Sequence, residues 1–188
     1  NNRLDITPGV AVTNFSDFKF HAFPGLDIGY RLNDHFKIYG NTGYTYRIPT
    51  YTDLFYSDPG TVGNANLEPE EALSVEIGSK YISPKFTGSF AFFYRDASSL
   101  IDYIKENETD RFMATNLRDL YTKGFEINTS YNFKVNNLNQ NLSLGYTYIE
   151  DEVGDLNINF SRYSINSLKH HVTSRLSTQL VKNINFNV

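Results

Sequence analysis

The stretch GNANLEPEEALSVEIG, residues 63–78, changes character halfway along its length. Its first half consists of turn-forming and acidic residues, with Pro69 among three glutamates. In its second half apolar and polar residues alternate, so that Leu73, Val75 and Ile77 share one side of a strand and Glu76 lies on the other. A soluble sheet and a strand entering a membrane both fit this pattern, and the rest of the chain has to decide between them.

Composition narrows the classes of protein. The chain has 188 residues, enough for one domain with a core, and its net charge of −4 offers no basic surface for nucleic acid. It has no cysteine, which excludes disulfides and thiolate metal sites, and no apolar run long enough to span a bilayer as a helix. A β-barrel remains open, because its strands are only half apolar. The sequence begins at Asn1 rather than at a methionine, so we expect a mature or excised part of a longer protein.

Alternation of apolar and polar residues runs through most of the chain and predicts nine strands. Most of them are longer than the five or six residues typical of globular sheets and suit the ~9–11 residues that a tilted strand needs to cross a bilayer. A helical period is confined to 50–56. The predicted strands are 3–14, 18–32, 35–47, 70–82, 85–105, 117–133, 140–151, 166–181 and 184–188.

The links between these strands are sorted by length. Short links at one end of the strands and long, polar links at the other are typical of outer-membrane barrels, whereas a sandwich has no reason to sort its loops. Only the link at 14–18 is short where a long one is due. The short links are 33–34, 83–84, 134–139 and 182–183, and the long links are 48–69, 106–116 and 152–165.

Aromatic residues of the apolar face lie near the strand ends. Tyr44, Tyr94 and Tyr146 lie toward the long links, and Tyr30 and Tyr131 toward the short ones. Because tyrosine is amphipathic, two such bands are expected at the headgroup levels of a bilayer. The alternative is a β-sandwich with an aromatic core, which does not explain tyrosine at both ends of the strands.

The polar face carries charged side chains, which must be solvated or paired. A wide, wet lumen allows both, whereas a small barrel filled by its own side chains does not. The sequence therefore predicts an all-β fold, an antiparallel up-and-down transmembrane β-barrel, of which this chain supplies about nine strands. The charged residues of this face are Lys37, Arg47, Glu76, Arg95, Glu126, Lys169, His171 and Arg175.

Two segments carry a resemblance to a known family. YRIPTYTDLFY (46–56) followed by GNANLEPEEALSVEIGSKY (63–81) resembles the TonB-dependent outer-membrane receptors, and so does FFYRDASSLIDYI (92–104) followed by NLRDLYTKGFEI (116–127). The second pair looks most like the vitamin B12 (cobalamin) branch, with siderophore receptors close behind. The matching motif positions are Pro49, Gly63, Asn64, Leu67, Pro69, Glu70, Glu76, Gly124 and Glu126.

The resemblance implies a barrel of about 22 strands with a plug domain folded inside it. Residues 1–188 would be a fragment of the barrel domain, without the plug and the terminal strands. It also implies a bacterial outer-membrane location, contact with lipid and lipopolysaccharide, and coupling to the plug and the TonB complex through regions outside this chain. The implied activity is energised uptake of a bulky nutrient, namely cobalamin, a ferric siderophore or haem, with no cofactor and no nucleic acid partner.

Local residue chemistry adds detail to this expectation. Gly63 and Asn64 suit the backbone angles of a turn that closes a surface loop, and Pro69 suits the start of a strand. Gly124 on the polar face predicts the close approach of another group, such as the plug. The two end strands, 3–14 and 184–188, would be open edges, so we expect the chain to curl into a small closed barrel or to pair edge to edge with a second copy.

Candidate ligand contacts are aromatic and cationic residues in or beside the long links, because exposed aromatics on loops commonly form binding surfaces. They fit equally well as packing within a rigid loop. The candidates are Arg47, Tyr51, Phe55, Tyr56, Tyr103 and Arg111.

The chain contains no recognisable catalytic or metal-binding motif, so no catalytic or metal residue is assigned. Adjacent residues of a strand point to opposite faces, so His170 and His171 do not form a joint ligand pair. The acidic stretch EDEVGD (150–155) is interpreted as a solvated loop in preference to a calcium site. A passive porin, a soluble β-rich binding module and an outer-membrane enzyme are the alternatives to a receptor.

Overall fold

The computed structural model describes residues 3–116, 119–153, 160–162, 168–181 and 184–188. Strands dominate this part of the chain, and its single helix, α1 (Tyr51–Phe55), falls inside the segment predicted to have a helical period. The strands are β1 (Leu4–Phe15), β2 (Lys19–Arg31), β3 (Phe36–Arg47), β4 (Thr61–Val62), β5 (Glu70–Ile82), β6 (Phe86–Ser98), β7 (Ile101–Lys105), β8 (Phe112–Asn116), β9 (Leu120–Val135), β10 (Leu138–Val153), β11 (Phe160–Ser161), β12 (His170–Val181) and β13 (Ile184–Asn187).

Nine strands form one sheet in the order β1-β2-β3-β5-β6-β9-β10-β12-β13, and all of its neighbouring pairs are antiparallel. We call it the main sheet. It confirms the predicted up-and-down arrangement, and each predicted strand has a counterpart in it. Within the described residues no pairing joins β1 to β13, so of the two expected outcomes the small closed barrel is not formed, and edge-to-edge pairing with a second copy stays a prediction. A wall that belongs to a larger barrel curves too gently to close on itself.

The short connections between strands are stabilised by hydrogen bonds between asparagine or serine side chains and the backbone, or contain residues in the left-handed backbone conformation. Asn33 Oδ1 accepts hydrogen bonds from the backbone N–H groups of His35 and Phe36, both at 2.9 Å. Between β9 and β10, Asn136 and Asn137 have φ of 50° and 64°, conformations that asparagine tolerates better than most residues. The turn is therefore tighter than the predicted link 134–139, because β9 continues to Val135 and β10 begins at Leu138. The predicted link 182–183 lies outside the described residues.

Register places the predicted apolar residues on one face of the main sheet. Val75 pairs with Thr42 and Tyr94, while Ile77 pairs with Gly40 and Phe92. This face has no layer packed over it in the described residues, and Ile77, for example, is 59% exposed. An apolar face of this size is expected to be covered by lipid or by another apolar surface.

The opposite face is polar, as predicted, and aromatic rings of neighbouring strands cover two of its glycines, Gly78 and Gly124. A Cβ added at Gly124 would lie 2.5 Å from Cζ of Phe93, and one added at Gly78 would lie 2.5 Å from Cζ of Tyr39. The close approach predicted at Gly124 is therefore made by a neighbouring ring and by the backbone of Tyr148. No additional domain is needed to explain this glycine.

The predicted strand 85–105 is interrupted. β6 ends at Ser98, Ser99 has a φ of 55°, and β7 begins at Ile101. The break turns the chain out of the main sheet into a second sheet with the order β11-β7-β8-β4, in which β4 and β8 are parallel. The prediction ran a single strand through this break, although the polar residues Ser98 and Ser99 stand there between Ala97 and Leu100.

The long links are folded rather than irregular. The second sheet and α1, together with the connecting residues of 48–69, form a compact unit at the long-link end of the main sheet, which we call the loop layer. Its core consists of the buried residues Leu67, Ile101, Tyr103 and Ala114, with Leu54 and Phe112 packed against them. The link 152–165 contributes β11, and its residues 154–159 and 163–165 lie outside the described part.

Candidate ligand-binding loop layer

An arginine–carboxylate pair anchors the loop layer to the main sheet. Arg47 ends β3 and is in register with Glu70, the first residue of β5. Its guanidinium donates two hydrogen bonds to the Glu70 carboxylate, from Nε to Oε2 and from Nη2 to Oε1, both at 2.5 Å. Glu70 Oε1 also accepts from the backbone N–H of Ile101 at 2.8 Å. Two planar, parallel hydrogen bonds fix the geometry of such a pair, so the ends of β3 and β5 and the start of β7 are tied together.

Asp53 organises α1 from inside the loop layer. It is 8% exposed, and its Oδ2 accepts hydrogen bonds from the backbone N–H of Thr50 at 2.9 Å and from Thr50 Oγ1 at 2.7 Å. Asp53 N–H donates in return to Thr50 Oγ1 at 3.2 Å, which completes a capping box. Tyr103 donates its hydroxyl to Asp53 Oδ1 at 3.0 Å, so the helix start is joined to β7.

The ionised form of Asp53 is favoured by these contacts. Burial alone would raise its pKa, but the hydrogen bonds from Thr50 and Tyr103, together with the charge of Arg47, outweigh burial and lower the pKa below its ordinary value. Arg47 Nη1 lies 3.8 Å from Asp53 Oδ2. Asp53 is therefore a fixed negative charge at neutral pH.

Gly63 and Asn64 let the chain cross close to α1. A Cβ at Gly63 would lie 2.8 Å from the carbonyl oxygen of Asp53 and 2.8 Å from the carbonyl carbon of Leu54. Gly63 N–H donates to the Tyr56 carbonyl at 2.6 Å, and Asn64 N–H donates to the Asp53 carbonyl at 2.8 Å. No described glycine has a positive φ. The sequence predicted that Gly63 is needed for the backbone angles of a turn. The structure shows instead that glycine is needed because there is no space for a Cβ.

Leu67 and Pro69 lead the chain from the loop layer back into the main sheet. Leu67 is buried in the loop-layer core. Next to it, Asn116 at the end of β8 donates from Nδ2 to the carbonyl of Glu68 at 2.8 Å and accepts from Glu68 N–H at 2.8 Å. Asn116 also donates to the carbonyl of Ser99 at 2.7 Å, at the strand break. Pro69 lacks an N–H and directly precedes β5, so it suits the strand start as predicted.

Cationic side chains stack on the aromatic residues of the second sheet. Arg162 lies 4.8 Å from the ring centroid of Phe112 and 5.5 Å from that of Tyr103, and Lys105 lies 5.0 Å from the Phe112 centroid. Such cation–π contacts stabilise exposed sites by about 0.5–1 kcal/mol each. They join β11 to the rest of the loop layer.

Three of the six predicted ligand contacts lie exposed on α1 or directly after it. Tyr51 is 79% exposed, Phe55 and Tyr56 are also exposed, and the rings of Tyr51 and Phe55 are 5.0 Å apart. Tyr56 donates its hydroxyl to Asp58 at 2.9 Å; this hydrogen bond raises the pKa of Tyr56 and lowers that of Asp58. The aromatic pair of Tyr51 and Phe55 is therefore available on the surface.

The other three predicted contacts take part in internal links. Tyr103 is buried, and Arg47 is engaged by Glu70. Arg111 donates to Ser57 Oγ at 3.3 Å and to the Asp58 carbonyl at 3.4 Å. Their predicted ligand contacts stay predictions.

Sequence reasoning missed two residues that organise this site. Asp53 had a readable signal, because Thr50-x-x-Asp53 has capping-box spacing. Asn116, which links Glu68 to Ser99, had none, since its partners are distant in the sequence.

Pro49, also a motif residue, is buried between β3 and α1 in the loop layer. The motif residues Glu76, Gly124 and Glu126 lie on the polar face of the main sheet, away from the loop layer. Glu76 pairs in register with Asn41 and Phe93, and Glu126 accepts a hydrogen bond from Asn128. The described residues contain no group of three or more side chains able to hold a metal ion. His170 pairs with Tyr148 on the apolar face, whereas His171 pairs with Thr147 on the polar face.

The sequence profile of the family described as "TonB dependent receptor-like, beta-barrel" matches residues 1–183. The chain belongs to this TonB-dependent receptor family. This match confirms the resemblance and, with the main sheet, the fold of a partial β-barrel. In the described part of this TonB-dependent receptor chain, no helix is both long enough and apolar enough to cross a membrane.

Two curated relatives of the chain carry the name "Vitamin B12 transporter BtuB". The protein from Vibrio vulnificus is 25% identical over 112 residues, which are 60% of this chain and 18% of the relative. The protein from Photobacterium profundum is 24% identical over 151 residues, which are 79% of this chain and 24% of the relative. The chain thus spans less than a quarter of each of these two relatives.

Two solved structures of the same fold are described as a siderophore receptor and as a ferric enterobactin receptor. PirA from Pseudomonas aeruginosa superimposes with a TM-score of 0.77 at 18% identity, over 100% of this chain and 33% of that one. The ferric enterobactin receptor PfeA from Pseudomonas aeruginosa, solved in complex with enterobactin, gives a TM-score of 0.78 at 14% identity, over 100% and 30%. At these identities the likeness shows the fold alone.

Proposed function

We propose that the protein containing this chain is an outer-membrane receptor for energised uptake of a scarce, bulky nutrient. Family membership supports a receptor, and the exposed apolar face of the main sheet supports a wall in contact with lipid. The relatives are named for vitamin B12 and the solved structures for siderophores, so the candidate substrates are cobalamin and a ferric siderophore, with haem as a third. The location is the bacterial outer membrane, in contact with lipid and lipopolysaccharide.

The proposed organisation follows the family. Residues 1–188 form part of the barrel domain. A plug domain and the contact with the TonB complex belong to other parts of the protein. The full-length gene tests this directly, because a plug-sized domain of roughly 100–150 residues should be encoded with the barrel. A full-length product without such a domain would favour a passive porin.

The observation that carries the proposal is the exposed aromatic pair on a fixed support. Tyr51 and Phe55 lie on α1, and α1 is held by Asp53, Thr50 and Tyr103 rather than by a flexible loop. Rigid, exposed aromatic residues provide large contact areas at a low entropic cost, which is why they dominate binding surfaces. In this proposal Tyr51, Phe55 and Tyr56 touch the nutrient.

The remaining candidates have two roles in this proposal. Arg47 and Tyr103 support the aromatic face from behind, because both contact Asp53. Arg111 braces the turn at Ser57 and Asp58 and leaves donor groups for the ligand, since a guanidinium has five N–H donors.

The test uses the full-length receptor with cyanocobalamin and ferric enterobactin as probes. The double variant Tyr51→Ala, Phe55→Ala should weaken binding of whichever probe the receptor takes by roughly tenfold or more, the equivalent of at least about 1.4 kcal/mol. The matched control is Tyr30→Ala, an exposed tyrosine at the other end of the main sheet. Unchanged affinity in the double variant would contradict the aromatic face, and no binding of either probe to the unmodified receptor would contradict both leading substrates.

A further inference from the structure

One row of side chains across the apolar face has a gap. Register aligns, from β2 to β10, the residues Ile28, Gly40, Ile77, Phe92, Phe125 and Tyr148. Every member of this row except Gly40 carries a large apolar or aromatic side chain. The side chains of Ile28 and Ile77, in register with Gly40 on the two neighbouring strands, therefore project above the backbone at Gly40.

The gap opens into a groove of about 390 Å³ on the apolar face. The size lies at the lower end of the roughly 300–1,000 Å³ typical of pockets that hold small molecules. Its aliphatic walls are Leu26, Ile28, Ile38, Val75 and Ile77. Glu76 also borders it, but neighbours in a strand point to opposite faces, so the carboxylate is directed to the polar side.

Gly40 differs from the other glycine of this face. A Cβ added at Gly40 would meet only the carbonyl oxygen of Glu76, at 3.4 Å. A Cβ added at Gly88, which pairs with Tyr81 and Thr129, would meet the ring of Phe86 at 3.0 Å. The space over Gly88 is filled by the ring of Phe86, whereas no side chain fills the space over Gly40.

We propose that this groove binds a single acyl chain of a membrane lipid. The inference rests on the membrane placement proposed above. Tyr30 lines the groove at one end of the apolar face, and the exposed Tyr44 marks the other end of β3 on the same face, with which the groove is continuous. An unbranched hydrocarbon chain fits a groove that is one side chain wide and has aliphatic walls, and its contact there would be closer than on the ridges formed by Phe92 and Leu144.

The test is photocrosslinking of the full-length receptor in vesicles of palmitoyl-oleoyl phosphatidylcholine. A small fraction of the lipid carries a diazirine midway along one acyl chain, and mass spectrometry locates the adducts. The expected result is an excess of adducts at Ile28, Val75 and Ile77 over Leu142 and Leu144. Gly40→Leu should reduce that excess to the level of the other residues, and Gly88→Leu should leave it unchanged.

A second variant covers the case in which Gly40→Leu fails to fold, as judged by heat-modifiable gel mobility. Ile77→Ala widens the groove and should increase adduct formation at Val75 and Ile28. Adducts spread evenly over the apolar face would contradict acyl-chain binding in the groove but would leave the proposed membrane placement intact. No adducts on the apolar face would overturn the membrane placement itself, and the groove with it.

Discussion

At the scale of single residues, the motif position Gly63 requires glycine because the neighbouring backbone leaves no space for a Cβ. Its backbone needs no positive φ, but any Cβ would press on the backbone of Asp53 and Leu54, atoms that cannot rotate away. Gly63→Ala should therefore destabilise the loop layer by roughly 1–3 kcal/mol, the usual cost of overpacking. Gly60→Ala, in the same link, is the control, because a Cβ there meets only Asp58 Oδ1 at 3.7 Å.

Hydrogen exchange in the full-length protein measures this difference. Amides in 50–67 should exchange faster in Gly63→Ala, while Gly60→Ala should match the unmodified protein. Equal exchange in the two variants would show that the close approach at Gly63 relaxes without cost.

The residues around Gly63 also show what a sequence reveals at this scale. The motif positions Gly63, Leu67 and Glu70 were identified from the sequence, because they stand at recognisable spacings. The contact between Tyr103 and Asp53 was not, since it joins side chains 50 positions apart and depends on how the strand breaks at Ser99. Tyr103 was consequently predicted to be a ligand contact, although its ring is buried in the core of the loop layer.

At the scale of elements, the charge of Asp53 makes the attachment of α1 dependent on pH. Its pKa in the folded protein is lowered from the ordinary value of 3.8, so its stabilising effect is fully present above 3.8 and is lost as the pH falls through the folded pKa. Protection of the α1 amides against hydrogen exchange should hold from neutral pH down to about 4 and decrease below it. Asp53→Asn should show weaker protection at neutral pH and a flatter response to acid; an unchanged acid response would contradict this role.

The strands of the main sheet could be predicted because their signal is local. A period of two residues sets both the existence of a strand and the side to which each residue points. The second sheet could not be predicted, because β4 and β8 are short, parallel and about 50 residues apart, and they contain no alternation long enough to recognise.

The same local signal makes a sharp test of the two faces. Ile127 pairs with Phe90 and Tyr146 on the apolar face, and its neighbour Asn128 lies on the polar face. Ile127→Arg should cost roughly 2–4 kcal/mol if the residue faces the middle of a bilayer. Asn128→Arg should cost much less, because Glu126 is beside it. Refolding of the full-length barrel in lipid vesicles with denaturant gives both values, and equal losses would mean that the faces are assigned wrongly.

At the scale of the whole molecule, the main sheet and the loop layer differ in how their apolar residues are covered. The loop layer has its own buried core, with Leu67 and Ala114 at its centre. The main sheet has none on its apolar side, and both of its edge strands, β1 and β13, lack a partner on one side within the described residues. The main sheet therefore depends on lipid or on other strands to cover its apolar face and its edges, whereas the loop layer covers its own core.

This difference predicts how the isolated 188-residue chain behaves in water. Unpaired backbone groups along β1 and β13 are templates for pairing with other chains. The apolar face adds side chains such as Phe92, Leu144 and Val172, the last 71% exposed, to a patch far beyond what a soluble monomer tolerates. Light scattering in detergent-free buffer should therefore show dimers or larger assemblies, and micelles should convert them to smaller particles by covering the apolar face. A compact monomer in plain buffer would mean that this face is satisfied without lipid, and the membrane placement would have to be abandoned.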